Sequence, residues 1–243
     1  VISAYKIQPG LNSLFAGLSS IKYGSSVINN LSNELKKTKI IKRFLSSKTE
    51  NKIIPKKNIA FNNVSFKYKK SKIIINKLNL KINVGSCVGI IGSSGSGKTT
   101  MLDLISGLYY PTKGYISVDG QKIHSKNIVN LRKSIDYIQQ NIFILDNSFA
   151  ENISFGVSKK EIDYEKVIKC SKIAYIHEFI NSFSDGYNQK VGEKGSRISG
   201  GQNQRIGIAR ALYRDPEILI LDEATNALNK EIEEKVIKSL RNA

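Results

Sequence analysis

The sequence is poor in the residues that build metal and disulfide sites. It has two cysteines, Cys87 and Cys170, and two histidines, His124 and His177, which lie far apart along the chain. Because they form no cluster at metal-ligand spacing, no zinc site is predicted. The cysteines are expected to be buried, reduced thiols, and the histidines to have surface or structural roles.

Long apolar runs are also missing. No stretch of about 18 apolar residues occurs, so no transmembrane helix is predicted within the sequence. The first residues lack the basic start and apolar core of a secretory signal. Because the first residue is not Met, we expect the chain to be a piece of a longer polypeptide.

Acidic residues are scarce, with 20 Asp and Glu against 38 Lys and Arg and a formal net charge of +18. Such an excess is found in proteins that bind nucleic acid or anionic membranes. A general abundance of lysine throughout the sequence is the alternative explanation of the charge. One local concentration has two open interpretations, a solvated linker or a segment oriented toward anionic lipid headgroups. Its members are Lys36, Lys37, Lys39, Lys42, Arg43, Lys48, Lys52, Lys56 and Lys57.

Residues 11–35 carry apolar side chains at heptad spacing, which predicts a long helix that packs on another helix. Pro9 and Gly10 are expected to begin or kink it. An ordinary amphipathic helix lying on its own domain is the alternative. The apolar positions are Leu11, Leu14, Leu18, Ile21, Ile28, Leu31 and Leu35.

Beyond residue 58 the pattern changes to strands that alternate with helices, which predicts an α/β core with parallel strands. The turn at Asp119-Gly120 indicates a hairpin. Strands are predicted at residues 59–66, 73–82, 87–91, 115–118, 135–138 and 217–221, and helices at 100–105, 160–183, 199–213 and 229–240.

The most specific motif is GSSGSGKT at residues 92–99, which fits the phosphate-binding pattern G-x-x-x-x-G-K-[ST] without mismatch. Its glycines let the backbone N–H groups curl around an anion, and the following helix N-terminus adds partial positive charge. Lys98 is expected to reach the β- and γ-phosphates, and the Thr99 hydroxyl to bind Mg²⁺. A ligand-free Gly/Ser-rich loop is the alternative.

A second motif is the apolar run ILIL at residues 218–221, followed by Asp222 and Glu223. Ligands in open α/β sheets bind at the carboxyl ends of the strands. Asp222 is therefore predicted to hold Mg²⁺ or its water, and Glu223 to orient or deprotonate a water that attacks the γ-phosphate. Two surface acids after a core strand would be the simpler interpretation of this pair alone.

A third motif, ISGGQ at residues 198–202, resembles the signature of ATP-binding-cassette (ABC) ATPases. The resemblance implies a head-to-tail dimer, in which the signature of one subunit closes over the ATP held on the partner's loop. It also identifies Tyr68 as the adenine-stacking aromatic, with Phe66 the less favoured candidate, and Gln140 as a glutamine that contacts Mg²⁺. Residues 148–153 and 191–195 are similar to segments of exporter-type cassettes.

The resemblance covers roughly residues 59–243 and implies a P-loop NTPase fold of class α/β, with a mixed sheet in a RecA-like lobe, an antiparallel β-subdomain and an α-helical subdomain at about 141–213. Residues 1–47 are similar to the cytoplasmic end of a last transmembrane-domain helix, and residues 48–58 to a linker. ATP and Mg²⁺ are the implied cofactors.

The resemblance assigns the site residue by residue. The catalytic group is Glu223, Lys98 and Gln140, and the metal ligands are Thr99, Gln140 and Asp222. The nucleotide-binding residues are Tyr68, Gly92, Ser94, Gly95, Ser96, Gly97, Lys98, Thr99 and Thr100, and, acting on the partner's ATP, Ser199, Gly200, Gly201 and Gln202.

Two features depart from the family pattern. Asn229 stands where the family usually has Asp, so hydrogen bonding is kept and the charge is lost, which is expected to alter coupling between the two ATP sites. The family's switch histidine lies about 30 residues beyond the catalytic glutamate, and the sequence ends before that position. We therefore expect the chain to bind ATP and to hydrolyse it poorly.

The function implied is the ATPase part of an exporter at the cell membrane, on the cytoplasmic face, joined to a transmembrane domain of the same parent chain. Residues 4–23 are similar to flippases for lipid-linked saccharides, and about 17–25 apolar residues are expected just upstream. The alternatives are a soluble ABC ATPase that acts on nucleic acid or ribosomes, and an importer ATPase on a separate chain. No nucleic-acid partner is expected.

Overall fold

The computed structural model describes residues 2–45, 52–69, 72–192 and 198–242. The chain divides into two compact units, Val1–Thr49 and Glu50–Ala243. In chain order the elements are α1 (Ile2–Leu45), β1 (Asn58–Phe66), β2 (Ile75–Asn83), α2 (Lys98–Ile105), β3 (Lys113–Val118), β4 (Gln121–Lys122), α3 (Ile128–Arg132), β5 (Ile135–Ile138), α4 (Phe149–Ile153), α5 (Tyr164–Ile173), α6 (His177–Asn181), α7 (Gly200–Tyr213), β6 (Ile218–Leu221) and α8 (Lys230–Asn242).

The first unit is the single helix α1, 44 residues long. Pro9 does not begin it, because the helix already runs from Ile2 and continues past the proline, at the cost of one backbone hydrogen bond. All seven predicted heptad positions are between 53% and 71% exposed. Within the described residues, no helix combines the length and the hydropathy needed to cross a bilayer.

The second unit begins with an antiparallel sheet in the order β2-β1-β3-β4. The predicted hairpin is confirmed, since Asp119 and Gly120 both have positive φ between β3 and β4. The buried side chains of this sheet join those of α2 and α3 in one cluster, here named the sheet core. It contains Ile59, Phe61, Val64, Phe66, Ile75, Leu104, Ile105, Ile116, Val118, Ile128, Leu131 and Ile220.

The predicted parallel strands at 135–138 and 218–221 are confirmed as β5 and β6, which pair from Ile135–Ile218 to Ile138–Leu221. Successive side chains of a strand point to opposite faces. Ile220 accordingly lies in the sheet core, while Leu219 and Leu221 pack against a second cluster formed by the helices. The strand is thus covered on both faces, as parallel strands usually are.

The second cluster, here named the helical core, takes most of its buried side chains from α4 to α8. Its members include Ile138, Phe149, Ile153, Val167, Ile180, Ile206, Ile208, Ala224 and Val236. The helix predicted over 160–183 is broken in two, because Tyr175 adopts φ 55° and its left-handed conformation ends α5.

His177 has a structural role, since its ring nitrogens contact the Tyr187 hydroxyl at 2.8 Å and the Asn181 amide at 3.0 Å.

The prediction of a strand at residues 87–91 is wrong, because this segment has no regular secondary structure. An apolar run becomes a strand only where a neighbour pairs with its backbone, and no described strand pairs with this one. Ile91 is 99% exposed. Cys87 is exposed rather than buried for the same reason, whereas Cys170 is buried as predicted, and burial raises the pKa of its thiol.

Candidate nucleotide-binding site

The phosphate-binding loop leads directly into α2, whose first residue is Lys98. Gly95 and Gly97 have φ of 78° and 97°, so two sharp left-handed turns fold the loop, and glycine adopts these without strain. A side chain at Gly92 would place its Cβ 2.6 Å from Ser96 Oγ. The Lys98 ammonium donates to the carbonyls of Gly92 (2.9 Å) and Ser93 (3.0 Å). The predicted loop residues therefore form one concave turn at a helix N-terminus.

The end of β6 lies beside this turn. The Thr99 hydroxyl donates to Asp222 Oδ1 at 3.4 Å. The Asp222 N–H donates to the carbonyl of Ile138 at 2.9 Å, so Asp222 stands at the carboxyl end of the parallel pair. The structure thus brings together Thr99 and Asp222, two residues that are 123 positions apart in sequence and were predicted to share a metal ion.

Tyr137 on β5 lies beside the same carboxylate, although none of the sequence motifs includes it. Its hydroxyl donates to Asp222 Oδ2 at 2.9 Å. Burial, followed by the hydrogen bond to Asp222, raises the pKa of the Tyr137 phenol, so it keeps its proton at neutral pH. Burial and the neighbouring charge of Asp222 also raise the pKa of Asp103 on α2.

Glu223 follows Asp222 with φ 52°, a conformation that non-glycine residues adopt rarely. Its carboxylate accepts a hydrogen bond from Asn226 Nδ2 at 3.1 Å, and its carbonyl accepts from the Asn226 N–H at 3.2 Å. The side chain of Glu223 is exposed. A tight turn therefore presents the carboxylate to solvent next to Asp222, at the edge where a metal ion is predicted.

Gln140 lies two residues beyond the end of β5 and is exposed. It leaves the sheet at the same carboxyl edge as Asp222, since β5 and β6 are parallel and in register. The structure does not bring its side chain into hydrogen-bond contact with Thr99 or Asp222. Its predicted contact with Mg²⁺ therefore stays a prediction.

The predicted adenine-stacking residue, Tyr68, lies against the first turn of α2. Its hydroxyl is 3.2 Å from Thr100 Oγ1, and Thr100 is itself buried. The Tyr68 ring makes edge-on contacts with Phe66 (5.0 Å) and Tyr109 (5.2 Å). Phe66 is buried, whereas Tyr68 is half-buried and Tyr109 is exposed, so Tyr68 is the more accessible of the two predicted candidates.

The signature residues form the N-terminus of α7. Ser199 is its N-cap and makes a capping box with Gln202: Ser199 Oγ accepts from the Gln202 N–H, and Gln202 Oε1 accepts from the Ser199 N–H. A side chain at Gly201 would place its Cβ 2.8 Å from the carbonyl oxygen of Ala227. The signature motif is therefore a helix cap that also packs closely against the segment after Glu223.

The two exporter-type segments meet in space. Ser148 caps α4 through a box with Glu151, and Ser148 forms an isolated bridge with Lys190. The Val191 N–H donates to the carbonyl of Asn147 at 3.0 Å. Residues 193–195 of the second segment lie outside the described residues, as do residues 48–51 of the predicted linker.

Sequence reasoning missed three residues of the site: Tyr137, Asn226 and Tyr109. Each of these residues lies close in sequence to a predicted site motif or to the strand beside one, which is a signal that could have identified it. Tyr137 lies on the strand next to the carboxylate strand, Asn226 lies three residues after Glu223, and Tyr109 follows the helix that begins with the phosphate-binding loop. Their contacts depend on strand pairing and turn geometry, which spacing alone does not give.

Comparison with known proteins agrees with this geometry. A protein-family profile described as ABC transporter matches residues 75–226. Over 182 residues, which are 75% of this chain and 31% of the relative, the sequence is 41% identical to the ATP-dependent lipid A-core flippase of Legionella pneumophila (strain Paris). It is also 41% identical, over 75% of this chain and 31% of the relative, to the putative multidrug export ATP-binding/permease protein YgaD of Bacillus subtilis (strain 168).

Among solved structures, the chain is similar to a bacterial Atm1-family ABC exporter with ATP bound. The TM-score is 0.72 at 33% sequence identity, over 81% of this chain and 34% of the exporter chain. The chain thus spans about a third of the length of the relatives it matches.

Proposed function

Because the chain belongs to the ABC transporter family, we propose that it is the ATP-binding and ATP-hydrolysing part of an exporter. The observation that carries this proposal is the meeting of the phosphate-binding loop with the end of β6, where Thr99 Oγ1 lies 3.4 Å from Asp222 Oδ1. The similarity to a lipid A-core flippase and to a protein named for multidrug export favours export over the nucleic-acid alternative.

The chain offers a site that fits the triphosphate. The turn at Gly95 and Gly97 and the N-terminus of α2 present backbone N–H groups to an anion. Lys98 now donates to two loop carbonyls, so its ammonium already lies over the turn where the β- and γ-phosphates would bind. Tyr68, with Tyr109 against its ring, would hold the adenine.

The donor set also fits Mg²⁺, which prefers hard oxygen ligands. Thr99 contributes a hydroxyl and Asp222 a carboxylate oxygen from the opposite side, and Gln140 leaves the sheet at the same edge. A bound Mg²⁺ would neutralise phosphate charge at this position. Glu223, held by Asn226, is proposed to orient and deprotonate the attacking water.

The second half of the site is proposed to come from another subunit. The capped N-terminus of α7 is a second place for anion binding on the same chain. A head-to-tail dimer, with a homodimer the simplest form, would place Ser199, Gly200, Gly201 and Gln202 of one subunit over ATP on the other. Closure on ATP binding and reopening on hydrolysis would drive the membrane part.

The proposed location is the cytoplasmic face of the cell membrane. The exposed apolar positions of α1 would pack against helices of a transmembrane domain of the same parent chain. The transported substrate would be a lipid, a lipid-linked saccharide or another exported compound, and no nucleic-acid partner is proposed. The proposed organisation has the end of a transmembrane-domain helix at residues 1–47, a linker at 48–58 and the ATPase cassette at 59–243.

Lys98→Ala tests the proposal. Its loss removes two charge-assisted hydrogen bonds to phosphate, each contributing about 1.5–3 kcal/mol, so ATP affinity should fall about 100-fold or more. Equilibrium titration with ATP measures this. Lys160→Ala removes an exposed lysine elsewhere and should bind as the wild type does. Retained affinity in Lys98→Ala would count against the nucleotide site.

A further inference from the structure

The two oxygens of Asp222 have different partners. Oδ1 accepts from the Thr99 hydroxyl at 3.4 Å, on the side of the phosphate-binding loop. Oδ2 accepts from the Tyr137 hydroxyl at 2.9 Å, on the side of β5. The carboxylate is therefore fixed at both ends, and only one of its oxygens faces the proposed Mg²⁺ position.

The contact between Tyr137 and Asp222 is made by the paired strands β5 and β6. Tyr137 pairs with Ile220 in the parallel ladder, and Asp222 follows two residues later, with its N–H bonded to the carbonyl of Ile138. The Tyr137 ring packs against the sheet core. Both the donor and the acceptor are thus held by the same pair of strands, whereas Thr99 belongs to the loop and helix that bind the phosphates.

We propose that Tyr137 is a positioning residue for Mg²⁺, because its hydroxyl holds Asp222 Oδ2 and keeps Oδ1 turned toward Thr99. This inference rests on the proposed function of the site. A hydrogen-bond partner of a metal-binding carboxylate fixes the orientation of that ligand, and removing it typically lowers metal affinity or activity by about 10–100-fold. Without the Tyr137 hydroxyl, the longer contact with Thr99 at 3.4 Å is the remaining hydrogen bond described for the Asp222 carboxylate.

Tyr137→Phe tests the inference, since phenylalanine keeps the ring in the sheet core and removes only the hydroxyl. The full chain is titrated with ATP carrying an N-methylanthraniloyl label, first in EDTA and then at increasing free Mg²⁺. The free Mg²⁺ concentration that produces half of the maximal change in labelled-ATP binding should be about 10–100-fold higher in the variant than in the wild type. Labelled-ATP affinity in EDTA should equal that of the wild type, which also shows that the variant is folded.

The matched control is Tyr164→Phe. The Tyr164 hydroxyl likewise donates to a polar side chain, Asn188 Oδ1 at 3.1 Å, but it lies at the start of α5. The control should leave the Mg²⁺ midpoint unchanged. A Tyr137→Phe midpoint equal to the wild-type value would overturn the inference and leave the proposed function standing. An equal loss of affinity with and without Mg²⁺ would also overturn it, because the hydroxyl would then have a structural role only.

A wild-type chain that fails to bind labelled ATP in either condition would overturn the proposed function, and the inference with it. The two failures are therefore distinguishable in one experiment.

Discussion

At the scale of single residues, Asp119 shows how one carboxylate connects distant backbone segments. Its oxygens accept from three consecutive N–H groups, those of Lys56 (2.7 Å), Lys57 (2.7 Å) and Asn58 (2.9 Å). These hydrogen bonds hold the pKa of the Asp119 carboxyl below its usual range. The hairpin turn after β3 thereby fixes the segment that enters β1.

Asp119→Asn should lower the thermal unfolding midpoint at neutral pH. Asparagine tolerates the positive φ at this position but offers one neutral acceptor oxygen in place of a charged pair. Because the folded-state pKa is depressed, the stabilisation is complete above the unfolded value of about 3.9 and is lost as the pH falls through the folded value. The difference between variant and wild type should therefore shrink in acid.

Melting curves followed by circular dichroism from neutral to acidic pH measure the effect. Asp185→Asn, at an exposed turn position, is the control and should melt with the wild type throughout. A difference for Asp119→Asn that stays constant, or grows, toward acid would show that the charge of Asp119 does not stabilise this junction.

At the scale of secondary-structure elements, the start of α7 and the segment between β6 and α8 form one packed unit. Gly201 lies against the carbonyl of Ala227, and Gln204, which is buried, accepts from the Ala227 N–H at 2.9 Å. Asn229 then caps α8, because its Oδ1 accepts from the Ile232 N–H at 2.9 Å. The proposed signature and the proposed catalytic turn are therefore mechanically connected within one chain.

Replacement of the two neighbouring glycines should separate packing from helix propensity. In Gly201→Ala the new Cβ would lie 2.8 Å from a backbone oxygen, whereas in Gly200→Ala it would make an ordinary contact of 3.6 Å with the Ala227 side chain. Overpacking of this kind costs about 1–3 kcal/mol. Gly200→Ala should be neutral or stabilising by up to about 1 kcal/mol, because alanine favours the helix.

Urea denaturation of both variants and the wild type measures the free energies of unfolding. If Gly201→Ala were as stable as Gly200→Ala, the close approach of α7 to Ala227 would not constrain the position.

At the scale of the whole second unit, the sheet core and the helical core share β6. Ile220 belongs to one and the flanking leucines to the other. The carboxylates Asp222 and Glu223 follow this strand, on which α2 packs through the sheet core and α7 through the helical core. The proposed nucleotide-binding residues and the proposed signature therefore lie on elements that pack on the two faces of one strand.

Glu223→Gln should trap an ATP-bound dimer. The glutamine keeps an oxygen that can accept from Asn226, but it cannot take a proton from water, so closure would not be followed by hydrolysis. Light scattering should show a doubled mass with ATP and Mg²⁺ and the monomer mass with ADP. Lys98→Ala combined with Glu223→Gln is the control and should remain monomeric in both. Normal ATP turnover by Glu223→Gln would remove Glu223 from its proposed role.

Much of the architecture followed from local patterns. The four apolar residues before Asp222, the glycines before Lys98 and the hairpin turn at Asp119 each favour one local structure almost independently of the rest of the chain. The predicted β5, β6, α7 and α8 are accordingly found at or near their predicted bounds. The membership of the ABC family rests on the same short motifs and was therefore accessible from the sequence.

The prediction of a strand at 87–91 was wrong because the structure of this segment depends on the rest of the chain. Apolarity alone does not make a strand, since backbone pairing with a neighbour is also required, and that is a property of the tertiary structure. The break at Tyr175 has a similar origin: helical periodicity continues through it, but a single left-handed residue redirects the chain.

The candidate chemistry of this protein could be recognised in the amino-acid order, because the proposed phosphate-binding loop, carboxylate pair and signature each depend on residue types at fixed local spacing. Which groups hold these motifs in place depends on the tertiary structure. Tyr137 meets Asp222 because two parallel strands lie in register, and Gly201 meets Ala227 because a helix start packs on a turn. Such contacts join residues far apart in the chain, and their distances are set by packing rather than by spacing.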